Sequence, residues 1–142
     1  MFNRILIVCM GNICRSPTGE RLLQQMFPNK QVRSAGIIAK VGRPADDNAI
    51  SIANQHQLSL EGHASRPLTR ELCAENDLIL VMEQAHIDTL HQHYPETRGK
   101  VLLFGHWLNK TEIPDPYKRS EEMFELVFQL MHKAAYSWMG KI

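Results

Sequence analysis

The sequence predicts an α/β fold, in which a four-stranded parallel sheet carries helices on both faces. Short apolar runs of strand length alternate along the chain with longer stretches that have helical periodicity. Strands separated by helices return to the sheet through right-handed crossovers, and such crossovers make the sheet parallel. The chain has 142 residues and is 44% hydrophobic, which suits a single domain over residues 1–142 with a substantial core.

The first half of the chain is expected to contain two strands and two helices. The apolar run Ile5–Val8 predicts a buried parallel strand, and Leu22, Leu23 and Met26 share one face of the helix that follows. The expected ranges are a strand at about 3–9, a helix at about 17–27, a strand at about 31–35, a Gly/Pro-rich loop at about 36–45 and a helix to about 57.

The second half is expected to add two strands and three helices. The ranges are a short helix at about 68–75, a strand at about 78–81, a helix at about 84–93, a strand at about 101–104 and a final helix at about 120–139. Ser120 is placed to cap the final helix. Its apolar stripe, which is expected to face the core, consists of Met123, Val127, Leu130, Ala134 and Trp138.

An anion-binding loop is predicted at residues 9–16, directly after the first strand, where ligands bind in parallel sheets. Arg15 offers a planar fork of donors that matches phosphate oxygens, and successive backbone N–H groups can form a nest. Ser16 and Pro17 are expected to open the next helix as its N-cap and first residue, so the helix N-terminus adds positive charge. A thiol in this setting favours its thiolate form, which makes Cys9 a candidate nucleophile. Without this context, Cys9 would be read as a small buried hydrophobe.

Val8–Pro17 resembles the signature of low-molecular-weight protein tyrosine phosphatases, and Pro114–Tyr117 resembles their second motif. Ser34-Ala35-Gly36 matches a further short segment of that family. Residues 99–107 and 112–118 are similar to the bacterial branch associated with exopolysaccharide or capsule assembly. The resemblance implies hydrolysis of phosphotyrosine in proteins through a phosphocysteine intermediate. It also implies a substrate, the tyrosine autokinase of capsule assembly, which is associated with the membrane.

The proton for the leaving oxygen must come from an acid near the loop, and Asp115 is the best candidate. Asp77 precedes a strand and therefore lies at the wrong edge of the sheet, and Asp88 falls on a solvated helix face. Asp46 and Asp47 follow the second strand, but their position favours helix capping. Asp115 follows the fourth strand between two prolines, which restrict its backbone. Taken alone, Pro-Asp-Pro would indicate only a turn, and the family resemblance points to the same residue as the acid.

The remaining site residues are expected to bind phosphate or to support the loop. Binding of phosphate and substrate is assigned to Met10, Gly11, Asn12, Ile13, Cys14, Ser16 and Tyr117. Asn12 is expected to fix the shape of the loop, and the resemblance implies that His63 and Ser34 join it. Cys14 is in addition a redox partner that could form a disulfide with Cys9.

No metal or cofactor is expected, because Arg15 and the loop dipoles supply the positive field. His86, His91 and His93 lie close together in the sequence, but nothing completes a metal site, so they are interpreted as surface residues. The net charge of +1 argues against a nucleic-acid partner, and no apolar run suits insertion into a membrane. With three cysteines and no signal peptide, the chain is expected in the cytoplasm.

Loop 36–42 contains no aromatic residue, whereas many relatives place one there against the substrate ring. The rim is therefore expected to be open and aliphatic, which suits a protein substrate.

Three other functions are compatible with parts of this sequence: a thiol-coupled arsenate reductase of the same fold, a phosphocysteine carrier and a pure anion-binding module. The reductase needs a later cysteine pair, yet only Cys73 lies beyond the loop. A carrier must keep its phosphate from water, which an acid at Asp115 would oppose, and a binding module has no use for a nucleophile.

Overall fold

Four parallel strands form one sheet in the order β2-β1-β3-β4, in a computed structural model that describes residues 2–142. The strands are β1 Arg4–Cys9, β2 Gln31–Gly36, β3 Leu78–Val81 and β4 Val101–Leu103. The helices are α1 Arg15–Met26, α2 Asp47–Gln55, α3 Arg70–Glu75, α4 Gln84–His93 and α5 Glu121–Tyr136, with a 3₁₀ turn at Pro95–Thr97. The predicted fold class is confirmed.

The strands alternate between two buried faces. Ile5 and Ile7 pack with α1, α2 and α5, whereas Leu6 and Val8 pack on the side of α3 and α4. Both faces are covered, which explains why the strand residues are almost continuously apolar. Because all strands are parallel, their carboxyl ends meet at one edge, where Cys9 ends β1 and pairs in register with Gly36.

Most helix boundaries follow from local signals in the sequence. Asp46 caps α2 by accepting a hydrogen bond from the Asn48 N–H at 2.9 Å, and Ser120 caps α5 in the same way from Met123. The predicted stripe is buried at Val127 and Ala134 on α5 and at Trp138 just beyond the end of the helix, and it is half-buried at Met123 and Leu130. It is wider than expected, because Phe124, Phe128, Met131 and Ala135 are also buried.

The predicted start of α1 is wrong. The helix begins at Arg15, with Cys14 in the N-cap position, so Ser16 and Pro17 lie inside its first turn. Pro17 is tolerated there because the first N–H groups of a helix have no acceptor within the helix. The Ser16 hydroxyl instead contacts the side chains of Cys9 and Asn12. It could not keep these two partners if it capped the helix.

Candidate active site

Cys9 lies where β1 runs into the loop, and its side chain is almost fully buried. Its Sγ atom is 3.0 Å from the Ser16 Oγ, and the backbone N–H of Ser16 donates to the sulfur at 3.4 Å. Both contacts come from the first turn of α1, so the helix N-terminus faces the sulfur. The Ser16 N–H and the N-terminus of α1 therefore both lie against the sulfur atom.

Asn12 shapes the loop from beneath. Its φ of 58° is in the left-handed region, which Asn tolerates better than most residues. Its amide nitrogen donates to the Ser16 Oγ at 2.8 Å and to the Ser34 Oγ at 3.0 Å. The Asn12 carbonyl oxygen lies 2.6 Å from the His63 Nε2, and its Oδ1 accepts the Arg66 N–H at 3.0 Å. The structure thus brings together the predicted supporting residues Asn12, Ser34 and His63.

Arg15 is buried, and its guanidinium group is held on two sides. Nη1 donates to Glu83 Oε2 at 2.5 Å and to the Ile113 carbonyl at 2.8 Å, while Nη2 lies 3.8 Å from Asp115 Oδ2. Two anchors on one nitrogen leave the remaining donors of the fork for a ligand. Glu83 follows β3 at the same edge of the sheet as the loop.

Asp115 stands on an exposed segment after β4. Ile113, two residues before Asp115, is buried and donates its N–H to the Met82 carbonyl at 2.9 Å. This hydrogen bond holds the segment against the end of β3. The Oδ1 of Asp115 accepts the Tyr117 N–H at 3.0 Å, and its side chain is 46% exposed. The carboxyl group is therefore positioned by a local turn and remains open to water.

Most of the predicted site residues line one cavity of about 260 Å³. Its lining comprises Cys9, Met10, Gly11, Ile13, Cys14, Arg15, Ile38, Lys40, Arg43, Asp115 and Tyr117. Asn12 and Ser16 are 0% exposed and lie below the cavity, together with Ser34. Phosphate binding is predicted for the loop that contains Asn12 and Ser16, and the side chains of these two residues are hydrogen-bonded within the protein.

The rim of the cavity is formed by the loop after β2. Gly36 approaches loop 9–16 so closely that a Cβ atom on Gly36 would lie 2.7 Å from the Met10 carbonyl oxygen. Two hydrogen bonds, Ile37 N–H to Cys9 O and Ile38 N–H to Met10 O, continue this contact at 2.9 Å each. Ile38 is 75% exposed at the cavity, so the rim is open and aliphatic at this position as predicted.

Three residues of the site were not predicted from the sequence. Glu83 anchors Arg15, Arg66 holds Asn12, and the buried Glu20 accepts a hydrogen bond from the Ser34 hydroxyl at 2.9 Å. The available signal for Glu20 is its place on the apolar side of α1, where an acidic residue needs a partner. Glu83 could have been found by its place directly after a buried strand.

The interpretation of His86 as a surface residue is wrong. It is 3% exposed, because its face of α4 packs against the sheet, and its Nδ1 accepts the Met82 N–H at 3.4 Å. Burial is the main cause that lowers the pKa of His86. His93 is exposed and His91 is half-buried. Residues 2–142 contain no cluster of His, Cys, Asp and Glu suited to a metal ion.

The other acidic candidates lie where predicted. Asp77 is exposed at the opposite edge of the sheet, where its Oδ2 accepts the N–H groups of Asn3 and Arg4 at 2.9 Å each. Those two hydrogen bonds lower the pKa of Asp77. Asp88 is exposed on α4.

None of the helices described over residues 2–142 is long and apolar enough to cross a membrane.

Comparison with known families agrees with this geometry. Residues 4–142 match the model of the family described as low molecular weight phosphotyrosine protein phosphatase. The chain belongs to this family. The low-molecular-weight protein-tyrosine-phosphatase Wzb of Escherichia coli K12 is 58% identical over 138 residues, which cover 97% of this chain and 94% of Wzb. The predicted enzyme class, a protein-tyrosine-phosphatase, is confirmed.

Two solved structures extend the comparison within the same fold. Wzb of Vibrio vulnificus, in complex with benzylphosphonate, superposes with a TM-score of 0.97 at 51% identity and covers 100% of both chains. The YwlE arginine phosphatase superposes with a TM-score of 0.91 at 26% identity, over 97% of this chain and 94% of YwlE. That YwlE structure is of a mutant in which cysteine is replaced by serine, and its active-site serine is phosphorylated.

Proposed function

We propose that this phosphatase hydrolyses phosphotyrosine in protein substrates through a phosphocysteine intermediate at Cys9. The observation that carries the proposal is that Cys9, Arg15 and Asp115 line one cavity. A nucleophile, a bidentate anion holder and an exposed carboxyl group are the three parts that this chemistry requires. In YwlE the residue that replaces cysteine carries the phosphoryl group, and this supports the same role for Cys9.

In the first step the Cys9 thiolate attacks phosphorus in line with the phenolic oxygen. The S–P bond forms as the P–O bond to the tyrosine ring breaks, and Asp115 gives its proton to the leaving oxygen. Arg15 and the N–H groups of the loop hold the three equatorial oxygens. The anchors of Arg15 on Glu83 and on the Ile113 carbonyl support this role, because its remaining donors are oriented before the substrate arrives.

In the second step a water molecule attacks the phosphocysteine. Asp115, now a carboxylate, takes a proton from the water as the P–O bond forms and the S–P bond breaks. The departing Cys9 thiolate is stabilised by the Ser16 hydroxyl at 3.0 Å and by the Ser16 N–H. Inorganic phosphate and the original thiolate result, so the cycle balances without a metal or a cofactor.

The physiological substrate is proposed to be a tyrosine autokinase of exopolysaccharide or capsule assembly, which the enzyme meets in the cytoplasm. The resemblance of residues 99–118 to that branch supports this, together with the identity to Wzb, itself a protein-tyrosine-phosphatase. The aliphatic Ile38 on the rim suits a substrate that brings its own protein contacts. Trapping of phosphoproteins from a host lysate on the Asp115→Ala protein tests this assignment.

The activity itself is tested with aryl phosphates and the Cys9→Ser protein. We expect Cys9→Ser to lose turnover and to keep measurable binding of phosphate analogues, because Arg15 and the loop amides form the anion site. Rapid acid quench of the wild type during turnover should yield phosphate bound to the Cys9 peptide by mass spectrometry. Retention of more than a few per cent of kcat in Cys9→Ser would refute the role of Cys9 as nucleophile.

Two further assays separate the alternatives. A phosphoarginine substrate should be cleaved more slowly than phosphotyrosine, which distinguishes this enzyme from arginine phosphatases such as YwlE. Arsenate-dependent thiol oxidation should be absent, because Cys73 is fully buried on the α3 side of the sheet and cannot resolve an intermediate at Cys9. A stable phosphoenzyme that does not react with water would favour the carrier.

A further inference from the structure

A second cationic cavity lies on the α3 side of the sheet, at the end opposite Cys9. It has a volume of about 160 Å³ and is lined by Arg4, Gln31, Arg33, Arg66, Leu72, Glu75 and Asn76. Arg4 and Gln31 are the first residues of β1 and β2 and pair in register. Five residue steps along the strands lead from this pair to the pair formed by Cys9 and Gly36, so the two pairs lie roughly 16 Å apart.

The charges in this cavity are not balanced. Within residues 2–142 none of the three arginines that line it forms an ion pair with a carboxylate, although Glu75 lines the same cavity. The nearby Asp77 is occupied by the backbone N–H groups of Asn3 and Arg4. Guanidinium groups that line one small space repel each other unless an anion lies between them.

The donors that remain suit a phosphoryl group. Arg66 uses its Nε for the Ser34 carbonyl at 3.0 Å, and within the described residues the Arg33 side chain makes only a 3.5 Å contact from Nη1 to the Val32 carbonyl. No side-chain hydrogen bond of Arg4 is present in the part of the chain that the structure describes. Arginine forks match the oxygens of phosphate, and several of them together hold a dianion better than a monoanion.

Arg66 connects this cavity to the catalytic loop. Its backbone N–H donates to Asn12 Oδ1 at 3.0 Å, and its carbonyl accepts the Gly36 N–H at 2.9 Å. Asn12 in turn holds Ser16 and Ser34. A ligand that draws the Arg66 guanidinium towards Arg33 therefore acts on the residue that shapes the loop.

We propose that this second cavity binds a phosphoryl dianion and that its occupancy is transmitted to the catalytic loop through Arg66. The dianion is either inorganic phosphate, which the reaction releases, or a phosphorylated residue of a protein. Both present the same three oxygens to the arginines.

The binding test uses the wild-type protein, Arg33→Gln and a matched control, Arg98→Gln, in which an exposed arginine outside the cavity is changed. Inorganic phosphate is titrated at constant ionic strength while the Arg Nε–H signals are followed by NMR. We expect saturable shifts at Arg4, Arg33 and Arg66 in the wild type. Arg33→Gln should weaken this binding about tenfold, and Arg98→Gln should change it by less than about twofold. Shifts that rise linearly, or that are equal in all three proteins, would overturn the site.

Two further experiments identify the source of the ligand and test the coupling between the second cavity and the catalytic loop. Benzylphosphonate replaces inorganic phosphate in the same titration: saturation by both probes indicates room for a phosphorylated residue, and saturation by phosphate alone indicates the free ion. In steady-state assays phosphate should change kcat as well as raise KM in the wild type, and should only raise KM in Arg33→Gln. Purely competitive inhibition of the wild type would overturn the coupling.

Discussion

The loop Cys9–Ser16 and the segment Pro114–Lys118 meet at one cavity, but the protein holds them in very different ways. In the loop, Asn12 and Ser16 are fully buried, and Asn12 is hydrogen-bonded to side chains or backbone of Ser16, Ser34, His63 and Arg66. In the segment, Asp115 is nearly half exposed, and its hydrogen bond to the Tyr117 N–H is local.

This difference matches the roles proposed for the two parts. Donors that stabilise developing negative charge are effective when they are fixed before the reaction, because their reorganisation would otherwise oppose it. A general acid must exchange a proton with water in every cycle, so exposure is useful to it. Ile113 joins the two parts, since its carbonyl accepts from Arg15 and its N–H donates to Met82.

The largest loss of activity is expected from a substitution of Arg15 in the loop Cys9–Ser16. Arg15→Lys should reduce kcat/KM on p-nitrophenyl phosphate by roughly 10³–10⁵-fold, the range that an arginine contributes to phosphoryl transfer, and almost as much as Arg15→Ala. An ammonium group cannot keep the contacts with Glu83 and Ile113 and still offer a fork to phosphate. Arg43→Lys, a charge-conserving change on the exposed rim of the same cavity, serves as the control. Near-normal kcat/KM in Arg15→Lys would show that charge alone is sufficient.

A smaller loss of activity is expected from a substitution of Asp115 in the exposed segment Pro114–Lys118. Asp115→Asn should lower kcat on aryl phosphates by roughly 10²–10⁴-fold, the usual contribution of a general acid. The loss should shrink as the leaving phenol becomes more acidic, because such a phenolate needs less protonation. Asp88→Asn, on an exposed face of α4, is the control. If the loss did not depend on the leaving group, the acid would have to be sought elsewhere.

The contact that orients Arg15 sharpens the comparison further. Glu83→Gln removes the charge from a hydrogen bond of 2.5 Å to a buried arginine, so the free energy of unfolding should fall by about 1 kcal/mol. This value is below the roughly 1.5–3 kcal/mol that is usual for a charged hydrogen bond, because the Glu83 side chain is 34% exposed. Urea denaturation measures the change, and Glu61→Gln, on an exposed loop, is the matched control. Equal stability of Glu83→Gln and wild type would mean that the Ile113 carbonyl holds Arg15 by itself.

Local signals explain which features the sequence predicts. The apolar run Ile5–Val8, the caps Asp46 and Ser120 and the alternation of strands and helices along the chain depend on neighbouring residues, and the structure agrees with each. The predicted cavity also follows, because the carboxyl ends of parallel strands share one edge. The N-cap position predicted for Ser16 is wrong, since Ser-Pro has the form of a helix start whether or not a buried thiol lies beside it.

Long-range contacts explain what the sequence does not predict. Glu83 is 68 positions from Arg15, and Arg66 is 54 positions from Asn12, so no local pattern joins either pair. The burial of His86 depends on which face of α4 turns to the sheet, and a polar residue gives no sign of this. Such contacts require the packed structure, because several acceptors at the same edge of the sheet could have bound Arg15.

The smallest effect on basal activity is expected at Cys14, which shares the cavity with Cys9 as a second free thiol. Peroxide would oxidise the Cys9 thiolate to a sulfenic acid and release hydroxide, and the Cys14 sulfur would then displace water to form a disulfide. Burial is the main cause that raises the pKa of the Cys14 thiol, and the Asp46 carboxylate adds to it. Because the thiolate is the attacking form, this capture should be slow and should compete with further oxidation of Cys9.

We therefore predict reversible inactivation at low peroxide and irreversible inactivation at high peroxide. After brief exposure to low peroxide, a dithiol reductant should restore most of the activity of the wild type. Cys14→Ser should start with nearly normal kcat, since the Cys14 thiol has no role in the proposed chemical steps, and it should then lose activity that the reductant cannot restore. Cys73→Ser, at a buried cysteine on the other face of the sheet, should recover like the wild type. Equal recovery of Cys14→Ser and wild type, or a peptide map of the oxidised wild type without a Cys9–Cys14 crosslink, would exclude the disulfide.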